Sequence, residues 1–347
     1  MRRRLVNAEG RCICTRFVTV SEAGALGAAE WIGRGDGLSG ELAARTAMAG
    51  ALAEMPVKVR VVASRGSGRG SAALQAGDEL GGRPVDWAGT ADEAEETVGE
   101  VPVWDAVVQP LEAINALARG AEGALAMIAA GPQGALMPVP EMYMQKVIVA
   151  GRAAAAVDID APVGDNIRGV AKELGLKPSE LVVVVLDRPR HEELAAQIRA
   201  AGARLRLIRD GDISAGIAAA LRESGVHMTI GIGGSVEGVL AAAALRCLGG
   251  EIQARFWPVS RHQVEQVKAA GLEDVEAPLS TADLARDGVL FSATAVTGGR
   301  FLKGIDVRRD GIQTETIVMC SHCHAVRTIK SLHRAENGGP MVALGIR

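Results

Sequence analysis

The sequence predicts an α/β protein whose C-terminal half forms a doubly wound, mostly parallel sheet. In this half, strand-like runs alternate with helical segments of about 10–15 residues, which is the pattern of strands joined by crossover helices. The first run, residues 181–187 (LVVVVLD), is continuously apolar, as expected of a strand covered on both faces. Hydrophobic residues make up 48% of the 347 residues and charged residues 23%, which excludes a mostly disordered chain.

Hydrophobic spacing predicts two helices and four strands in the N-terminal half. The helices cover 21–33 and 41–55, and the second is expected to start with Ser39 as its cap and to stop at Pro56. A glycine-rich loop with two arginines follows the first strand, over 65–82. The predicted strands lie at 57–64, 101–108, 124–131 and 142–151.

The C-terminal half continues the alternation. Predicted strands at 181–187, 203–209 and 227–233 alternate with predicted helices at 191–202, 213–224 and 236–250. One further strand is expected at 289–296, followed by loop-rich sequence. Because periodicity is lost near 151–165, we expect four parts, namely a leader (1–16), an N-terminal metal-site region (17–155), a C-terminal substrate-binding region (156–335) and a tail (336–347).

Charge and composition exclude several classes of partner. The formal net charge is −3, so a general electrostatic attraction to nucleic acid or to an anionic membrane is not expected. Aromatic residues amount to 3%, too few for an extended base-stacking surface. Charges or glycines interrupt every apolar run before the roughly 18 residues that a spanning helix needs, and no apolar stretch follows the basic start. We therefore expect a cytoplasmic protein.

Polar residues follow three consecutive predicted strands of the parallel sheet. Arg188-Pro189-Arg190 follows the first, Asp210-Gly211-Asp212 the second, and Gly234 and Glu237 the third. Ligands bind beyond the carboxyl ends of such strands. Guanidinium groups and a helix N-terminus suit phosphate oxygens, whereas carboxylates suit sugar hydroxyls or a divalent cation. Each motif alone is an ordinary turn, but together they favour a site for a phosphorylated polyol.

Motifs in the same order, at near-identical spacing, resemble those of the bacterial class II fructose-1,6-bisphosphatases between about Phe17 and His333. They are 31–36 (WIGRGD), 140–151 (PEMYMQKVIVAG), Asp165-Asn166 with Arg168, 187–191 (DRPRH), 210–212 (DGD), 231–238 (GIGGSVEG), 291–299 (FSATAVTGG) and 313–316 (QTET). The resemblance implies the layered α/β fold of the lithium-sensitive phosphatases, with two sheet regions. It also implies Mn²⁺- or Mg²⁺-dependent hydrolysis of the 1-phosphate of fructose 1,6-bisphosphate, as in gluconeogenesis, and a dimer or tetramer.

The resemblance also implies a set of substrate-binding residues. Its members retain the family's residue type or a close equivalent, and they are Tyr143, Arg188, Pro189, Arg190, Asp210, Gly211, Asp212 and Gly234. The two arginines would hold a phosphate, and the two aspartates would accept hydrogen bonds from sugar hydroxyls.

The family's metal-ligand positions are only partly retained. Glu112, which the resemblance also marks as the catalytic residue, and Glu237 match, and Glu41 stands where the family has aspartate. Gln109 replaces a carboxylate by a neutral amide, and Arg65 falls in a loop that the family keeps acidic. One divalent ion on Glu41, Glu112 and Glu237 remains possible, because Mg²⁺ often uses one or two carboxylates with phosphate and water.

These replacements leave two functions open. The first is a metal-dependent sugar-phosphate phosphatase, a phosphoric monoester hydrolase. The alternative is a catalytically impaired homologue that binds a sugar bisphosphate or a partner and regulates. Arg65, with Arg69, would then supply the positive charge that a metal gives in the family, unless the two arginines simply point to solvent. Ile114 stands where the family has the threonine that helps to orient the attacking water.

The five cysteines are odd in number and too sparse for a disulfide framework. The segment 320–324 (CSHCH), with Cys12 and Cys14, offers soft ligands that could hold Zn²⁺. The wide separation of the two halves is unlike a recognisable zinc module, and the family resemblance calls for no zinc.

Overall fold

The computed structural model describes residues 12–66, 73–82, 101–221, 223–299 and 301–334. Arg69, the second arginine of the glycine-rich loop, lies outside these residues. The chain divides into two compact units, one made of Met1–Leu136 with Gly288–Arg347 and the other of Met137–Asp287. Among the described residues, no helix combines the length and apolar character needed to cross a membrane.

The first unit begins with a short 3₁₀ helix, Ile13–Phe17, that leads directly into α1. The elements up to the end of this stretch are α1 (Val18–Ala29), α2 (Gly37–Ala53), β1 (Lys58–Ser64), β2 (Glu79–Gly81), β3 (Val103–Glu112), α3 (Ile114–Arg119) and β4 (Leu125–Pro132).

The second unit follows without interruption. Its elements are β5 (Tyr143–Ala150), α4 (Val163–Leu174), β6 (Val182–Leu186), α5 (Glu192–Ala200), β7 (Arg204–Ile208), α6 (Asp212–Ala220), β8 (Met228–Gly234), α7 (Ser235–Leu248), β9 (Gly250–Trp257), α8 (Arg261–Ala269), β10 (Leu279–Ser280) and α9 (Thr281–Leu284). The chain then returns to the first unit with β11 (Leu290–Ala295), β12 (Asp306–Arg308), β13 (Gly311–Cys320) and β14 (Ala325–His333).

The described strands of the first unit form an eight-stranded sheet in the order β12-β13-β11-β4-β3-β1-β2, with β14 paired to β13. The pair β1–β3 is parallel, and the remaining pairs are antiparallel. Helices α1 and α2 pack on this sheet, and their buried side chains share one core with it, including Phe17, Met48, Trp104 and Ile128.

The second unit contains a six-stranded sheet in the order β10-β9-β5-β8-β6-β7. The predicted layered α/β class with two sheet regions is confirmed. Within this sheet, however, only β7, β6 and β8 run parallel, whereas β5 pairs antiparallel with both β8 and β9. The expectation of a mostly parallel sheet is therefore corrected, because the crossover helices join only the three strands in which the sequence alternation is clear.

Two local predictions also need correction. Helix α2 starts at Gly37, and the Oδ1 atom of Asp36 accepts a hydrogen bond from the Ser39 N–H at 3.0 Å, so Asp36 rather than Ser39 caps it. The segment expected to be loop-rich after residue 296 contains two long paired strands, β13 and β14. Threonines and a glutamate buried in β13, such as Thr314, Thr316 and Glu315, mask its apolar pattern.

Candidate functional site

The carboxyl ends of β6, β7 and β8 bring together the residues that the sequence places after these strands. Arg188 follows β6, and its Nη2 atom lies 3.2 Å from Oδ1 of Asp210, which follows β7. The Nη1 atom of Arg188 also donates to the Asp187 carbonyl oxygen at 2.9 Å. The guanidinium is therefore held at the strand ends and still remains 36% exposed. It is able to meet an anionic ligand without a large rearrangement.

Arg190 and Tyr143 form a second part of the same cluster. The Nη2 atom of Arg190 donates to the Ile232 carbonyl oxygen at 2.8 Å, and its guanidinium carbon lies 4.8 Å from the centre of the Tyr143 ring. Tyr143 starts β5 and is the register partner of Gly234, so the antiparallel pairing with β8 places the ring at this end of the sheet. A cation over an aromatic face gains electrostatic stabilisation, which fixes the direction of the guanidinium.

Lys146 is a charged member of the cluster that sequence reasoning missed. Its Nζ atom lies 2.7 Å from Oδ2 of Asp212 and donates to the Gly234 carbonyl oxygen at 3.1 Å. Both side chains of this ion pair are largely buried, with 8% and 16% of their surfaces exposed. Only one signal was available in the sequence, namely a charged lysine inside a mostly apolar strand.

Two glycines and a proline determine the backbone conformation around the cluster. Gly211 has a φ of 92°, in the left-handed region, and this turn places Asp212 at the first position of α6. A Cβ atom on Gly233 would lie 2.2 Å from Oδ2 of Asp212, so this glycine allows the carboxylate to approach β8. Pro189 opens the short 3₁₀ turn that carries Arg190. The two glycines and the proline therefore allow the charged side chains to approach one another at this end of the sheet.

His191 connects the ends of β6 and β8. Its ring is 2% exposed, its Nδ1 atom lies 2.8 Å from the Leu186 carbonyl oxygen, and its Nε2 atom accepts a hydrogen bond from the Ile232 N–H at 2.8 Å. Burial, together with the positive charges of Arg190 and Arg188, lowers the pKa of His191. The neutral ring therefore holds the turn that carries Arg190 against β8. Its role is to position this turn and not to take part in a reaction.

Glu237 lies in the first turn of α7, immediately beyond this cluster along the chain, and it is 8% exposed. A Cβ atom on Gly234 would lie 1.9 Å from Oε2 of Glu237, so the carboxylate packs directly over the glycine. The predicted metal ligand of the second unit is thus placed beside the predicted substrate residue Gly234.

In the first unit, the remaining predicted metal positions lie around the start of α2 and the ends of β1 and β3. Glu41 lies on α2, and its carboxylate is 3.5 Å from the guanidinium of Arg45, one helical turn later. Only 2% of the Arg45 side chain and 4% of the Glu41 side chain are exposed. The predicted metal ligand Glu41 is therefore already paired with a buried cation, the guanidinium of Arg45.

Arg45 also holds the loop that follows β1. It donates to the Ser64 hydroxyl at 3.1 Å, to the Leu74 carbonyl oxygen at 3.2 Å and to the Arg65 carbonyl oxygen. The loop approaches so closely that a Cβ atom on Gly66 would lie 2.2 Å from Oε1 of Glu41. The hypothesis assigned a positive charge at this place to the Arg65 side chain. In the structure, the guanidinium that lies beside Glu41 belongs to Arg45 instead.

Gln109 and Glu112 lie at the end of β3, and each is 4% exposed. The Gln109 Nε2 atom donates to the Leu111 carbonyl oxygen at 2.9 Å. Its Oε1 atom is buried and has no hydrogen-bond partner among the described residues. The pairing with β4 is irregular between these two residues, so the strand bends where both side chains are needed. An amide oxygen and a carboxylate oxygen are suitable ligands for a hard divalent cation.

The donor set of the first unit fits one divalent ion rather than several. The buried Arg45 guanidinium opposes a second positive charge next to Glu41, since like charges at low dielectric repel strongly. Within the described part of the chain, no set of three histidine, aspartate or glutamate ligands converges around Glu41 or Glu112. One ion on Gln109 Oε1 and Glu112 is compatible with these residues, with phosphate and water completing its coordination.

Ile114 is the first residue of α3, directly after the turn that follows β3. A Cβ atom on Gly37 would lie 2.4 Å from Cγ2 of Ile114, so this side chain packs against the start of α2. Its hydrocarbon side chain cannot hydrogen-bond to a water molecule.

Comparison with known proteins shows the family of the chain. A family model described as bacterial fructose-1,6-bisphosphatase, glpX-encoded, matches residues 11–333. Over 339 residues the chain is 36% identical to the D-fructose 1,6-bisphosphatase class 2/sedoheptulose 1,7-bisphosphatase of Synechococcus sp. (strain JA-3-3Ab), an alignment that covers 93% of this chain and 96% of the relative. It is 33% identical over 352 residues to fructose-1,6-bisphosphatase 1 class 2 of Escherichia coli (strain K12), covering 97% and 99% of the two chains.

Proposed function

The chain belongs to the bacterial class II fructose-1,6-bisphosphatase family, and on that basis we propose that it is a sugar-bisphosphate phosphatase that removes the 1-phosphate of fructose 1,6-bisphosphate. The name of one relative also includes sedoheptulose 1,7-bisphosphate, so both ketose bisphosphates are candidate substrates. The enzymes of this family are phosphoric monoester hydrolases that depend on a divalent metal.

The charged cluster of the second unit is the observation that carries the proposal. Arg188 and Arg190 are positioned by protein carboxylate and carbonyl groups, yet both guanidinium groups remain partly open to solvent. Charge-assisted hydrogen bonds from arginine are well suited to phosphate oxygens. Asp210 supplies oxygens that accept from sugar hydroxyls, and Tyr143 lines the same strand end. Lys146 adds a buried cation that keeps Asp212 in place.

The reaction also needs a group that activates water. A divalent ion supplies this chemistry by polarising phosphoryl oxygens and lowering the pKa of a bound water. We assign Glu112 and the Oε1 atom of Gln109 as its ligands in the first unit, with Mn²⁺ or Mg²⁺ as the ion. Glu41, paired with Arg45, then contributes through its charge rather than as a free ligand.

Phosphate release from fructose and sedoheptulose bisphosphates, measured with Mg²⁺ and with Mn²⁺, tests the activity. Arg190→Gln should raise the KM by about 10- to 100-fold, because one charge-assisted interaction with phosphate contributes about 1.5–3 kcal/mol. Arg199→Gln, which changes an exposed arginine on α5, is the matched control and should leave KM unchanged. An unchanged KM in Arg190→Gln would contradict the assignment of the phosphate site.

The buried pair of Arg45 and Glu41 favours a second candidate, a homologue that binds the bisphosphate and regulates without hydrolysing it. In that case a fixed guanidinium stands where a catalytic cation would otherwise be needed. Calorimetric titration with fructose 1,6-bisphosphate, with and without chelator, separates the two functions. Binding without any phosphate release under either metal supports the regulator, whereas turnover that Glu112→Gln abolishes supports the phosphatase.

A further inference from the structure

Four of the five cysteines come together at one place in the first unit. Cys12 and Cys14 flank the start of the 3₁₀ helix that leads into α1, whereas Cys320 ends β13 and Cys323 lies in the turn to β14. More than 300 residues separate the two pairs in the sequence. The fifth cysteine, Cys247, is on α7 in the second unit.

The sulfur positions have the dimensions of a single tetrahedral metal site. Cys12 Sγ is 3.6 Å from Cys320 Sγ, and Cys14 Sγ is 3.9 Å from Cys323 Sγ. All four sulfur atoms lie within 4.8 Å of one another. Zinc–thiolate bonds of about 2.3 Å in a tetrahedron place sulfur atoms about 3.8 Å apart. An iron–sulfur cluster would separate the four thiolates further, because several iron and sulfide atoms lie between them.

The surrounding structure is built to hold these sulfurs. Cys14 and Cys320 are 1% and 2% exposed and belong to the core that contains Ile13 and Phe17. His324, directly after Cys323, has a φ of 52°, a left-handed conformation that reverses the chain into β14. This tight turn keeps Cys320, at the end of β13, close to Cys323, so that the sulfur atoms of both belong to the cluster.

The charge around the cluster also suits bound thiolates. Zn²⁺ with four thiolates carries a net negative charge, and the Nη1 atom of Arg327 lies 3.9 Å from Cys14 Sγ and 3.8 Å from Cys323 Sγ. Groups that donate to a ligating sulfur are typical surroundings of metal sites.

We propose that Cys12, Cys14, Cys320 and Cys323 bind one structural Zn²⁺ ion. Thiolates are soft ligands that select zinc over the hard cations of a phosphatase site, and binding releases the thiol protons to solvent. With four protein ligands the coordination is complete, so the ion has no open position for catalysis. It connects the start of α1 to the β13–β14 turn, and its binding free energy adds to the stability of this unit.

Elemental analysis of the full chain, purified without chelator or added zinc, should find about one zinc ion per chain. Exchange for Co²⁺ should give the visible absorption and the sulfur-to-metal charge-transfer bands of a tetrahedral thiolate site. Cys14→Ser and Cys323→Ser should each lose the metal and these bands, whereas Cys247→Ser should keep both and serves as the matched control. If Cys14→Ser fails to fold, Cys323→Ser, whose residue lies in a half-buried turn, provides the same comparison.

Four outcomes would overturn the proposal. The first is a metal-free chain in which all four of these thiols are reactive. The second is a native mass that is lighter by two hydrogen atoms for each of two disulfides, Cys12–Cys320 and Cys14–Cys323. The third is iron in place of zinc, and the fourth is zinc retained in both cluster variants. None of these results depends on phosphatase activity, so the zinc site and the proposed function are tested separately.

Discussion

At the scale of single residues, the turn after β3 holds one residue in a strained backbone conformation. Ala113, between β3 and α3, has φ 58° and ψ 49°, a left-handed conformation that favours glycine. Gln109 and Glu112 are buried just before this turn, and Ile114 begins α3 directly after it. The strained backbone therefore lies next to the two residues that we propose as metal ligands.

Ala113→Gly should stabilise the protein by about 0.5–1 kcal/mol. Relief of the left-handed strain of alanine, about 1–2 kcal/mol, outweighs the extra flexibility that glycine gives the unfolded chain. Thermal unfolding of the two proteins measures this difference. Ala196→Gly, at an exposed position in the middle of α5, is the control, and there glycine should destabilise. A lower melting temperature for Ala113→Gly would show that the turn gains nothing from glycine.

Arg45→Met should lower the free energy of unfolding by about 3–5 kcal/mol, because it leaves the Glu41 carboxylate buried without its cation. Added Mn²⁺ should restore part of this loss in the variant and have a smaller effect on the wild type, since the ion takes the place of the guanidinium charge. Melting temperatures with and without Mn²⁺ measure both effects.

Arg34→Met is the matched control for this charge change. It removes the same kind of pair with Glu30, also four residues apart in the chain, but the arginine side chain is 58% exposed there. Exposed pairs contribute about 0–1 kcal/mol, so this variant should be nearly neutral. Equal losses in the two variants, or no response of Arg45→Met to Mn²⁺, would contradict the idea that Arg45 substitutes for a cation.

At the scale of secondary-structure elements, buried polar contacts decide how neighbouring elements are joined. Ser21 on α1 lies 2.8 Å from the hydroxyl of Ser292 on β11, and Thr294 connects Ser21 to Thr316 on β13 through further bonds of 2.8 Å. These hydroxyls are fully buried and form a continuous chain between the helix and two strands. The pattern of apolar residues predicts β11 but not β13, because the polar residues buried in β13 look like those of a loop.

The hydrogen bonds of His191 make the second unit sensitive to acid. Because the pKa of His191 is lowered by burial, the folded state holds the ring neutral, and the unfolded chain binds the proton more readily. The contribution of His191 to the free energy of unfolding is therefore fully present above the unfolded pKa of about 6.5, and it is lost as the pH falls below that value. Urea unfolding between pH 8 and pH 5.5 should show this loss.

His191→Gln should flatten part of this pH dependence while lowering stability at pH 8, because a glutamine has no proton to gain and fits the two backbone partners less well. His262→Gln, which changes an exposed histidine on α8, should keep the wild-type profile. An unchanged slope in His191→Gln would mean that other groups cause the loss, among them His227, whose pKa burial also lowers.

At the scale of the whole molecule, the two units contribute different chemistry. The second unit gathers the arginines, aspartates and lysine that suit a sugar bisphosphate, and the first unit carries the carboxylates and the Arg45 guanidinium as well as the four-cysteine cluster. The first unit is built from both ends of the chain, so the segment that begins at Gly288 completes a sheet that starts near residue 58. The four cysteines bring the segment 12–14 next to the β13–β14 turn, more than 300 residues away in the chain.

By itself, the amino-acid sequence determined the α/β class, the alternation of β6 to β8 with their helices, the family, and the polar residues at three strand ends. These features are local, because they depend on hydrophobic periodicity and on short motifs whose residues are close in the chain. Tertiary structure alone decided which distant residues meet. The approach of Arg45 to the loop after β1, the pairing of Lys146 with Asp212 and the convergence of Cys12 with Cys320 each join segments between 20 and 308 residues apart. Periodicity reports which face of an element is buried, but it does not report which partner covers that face.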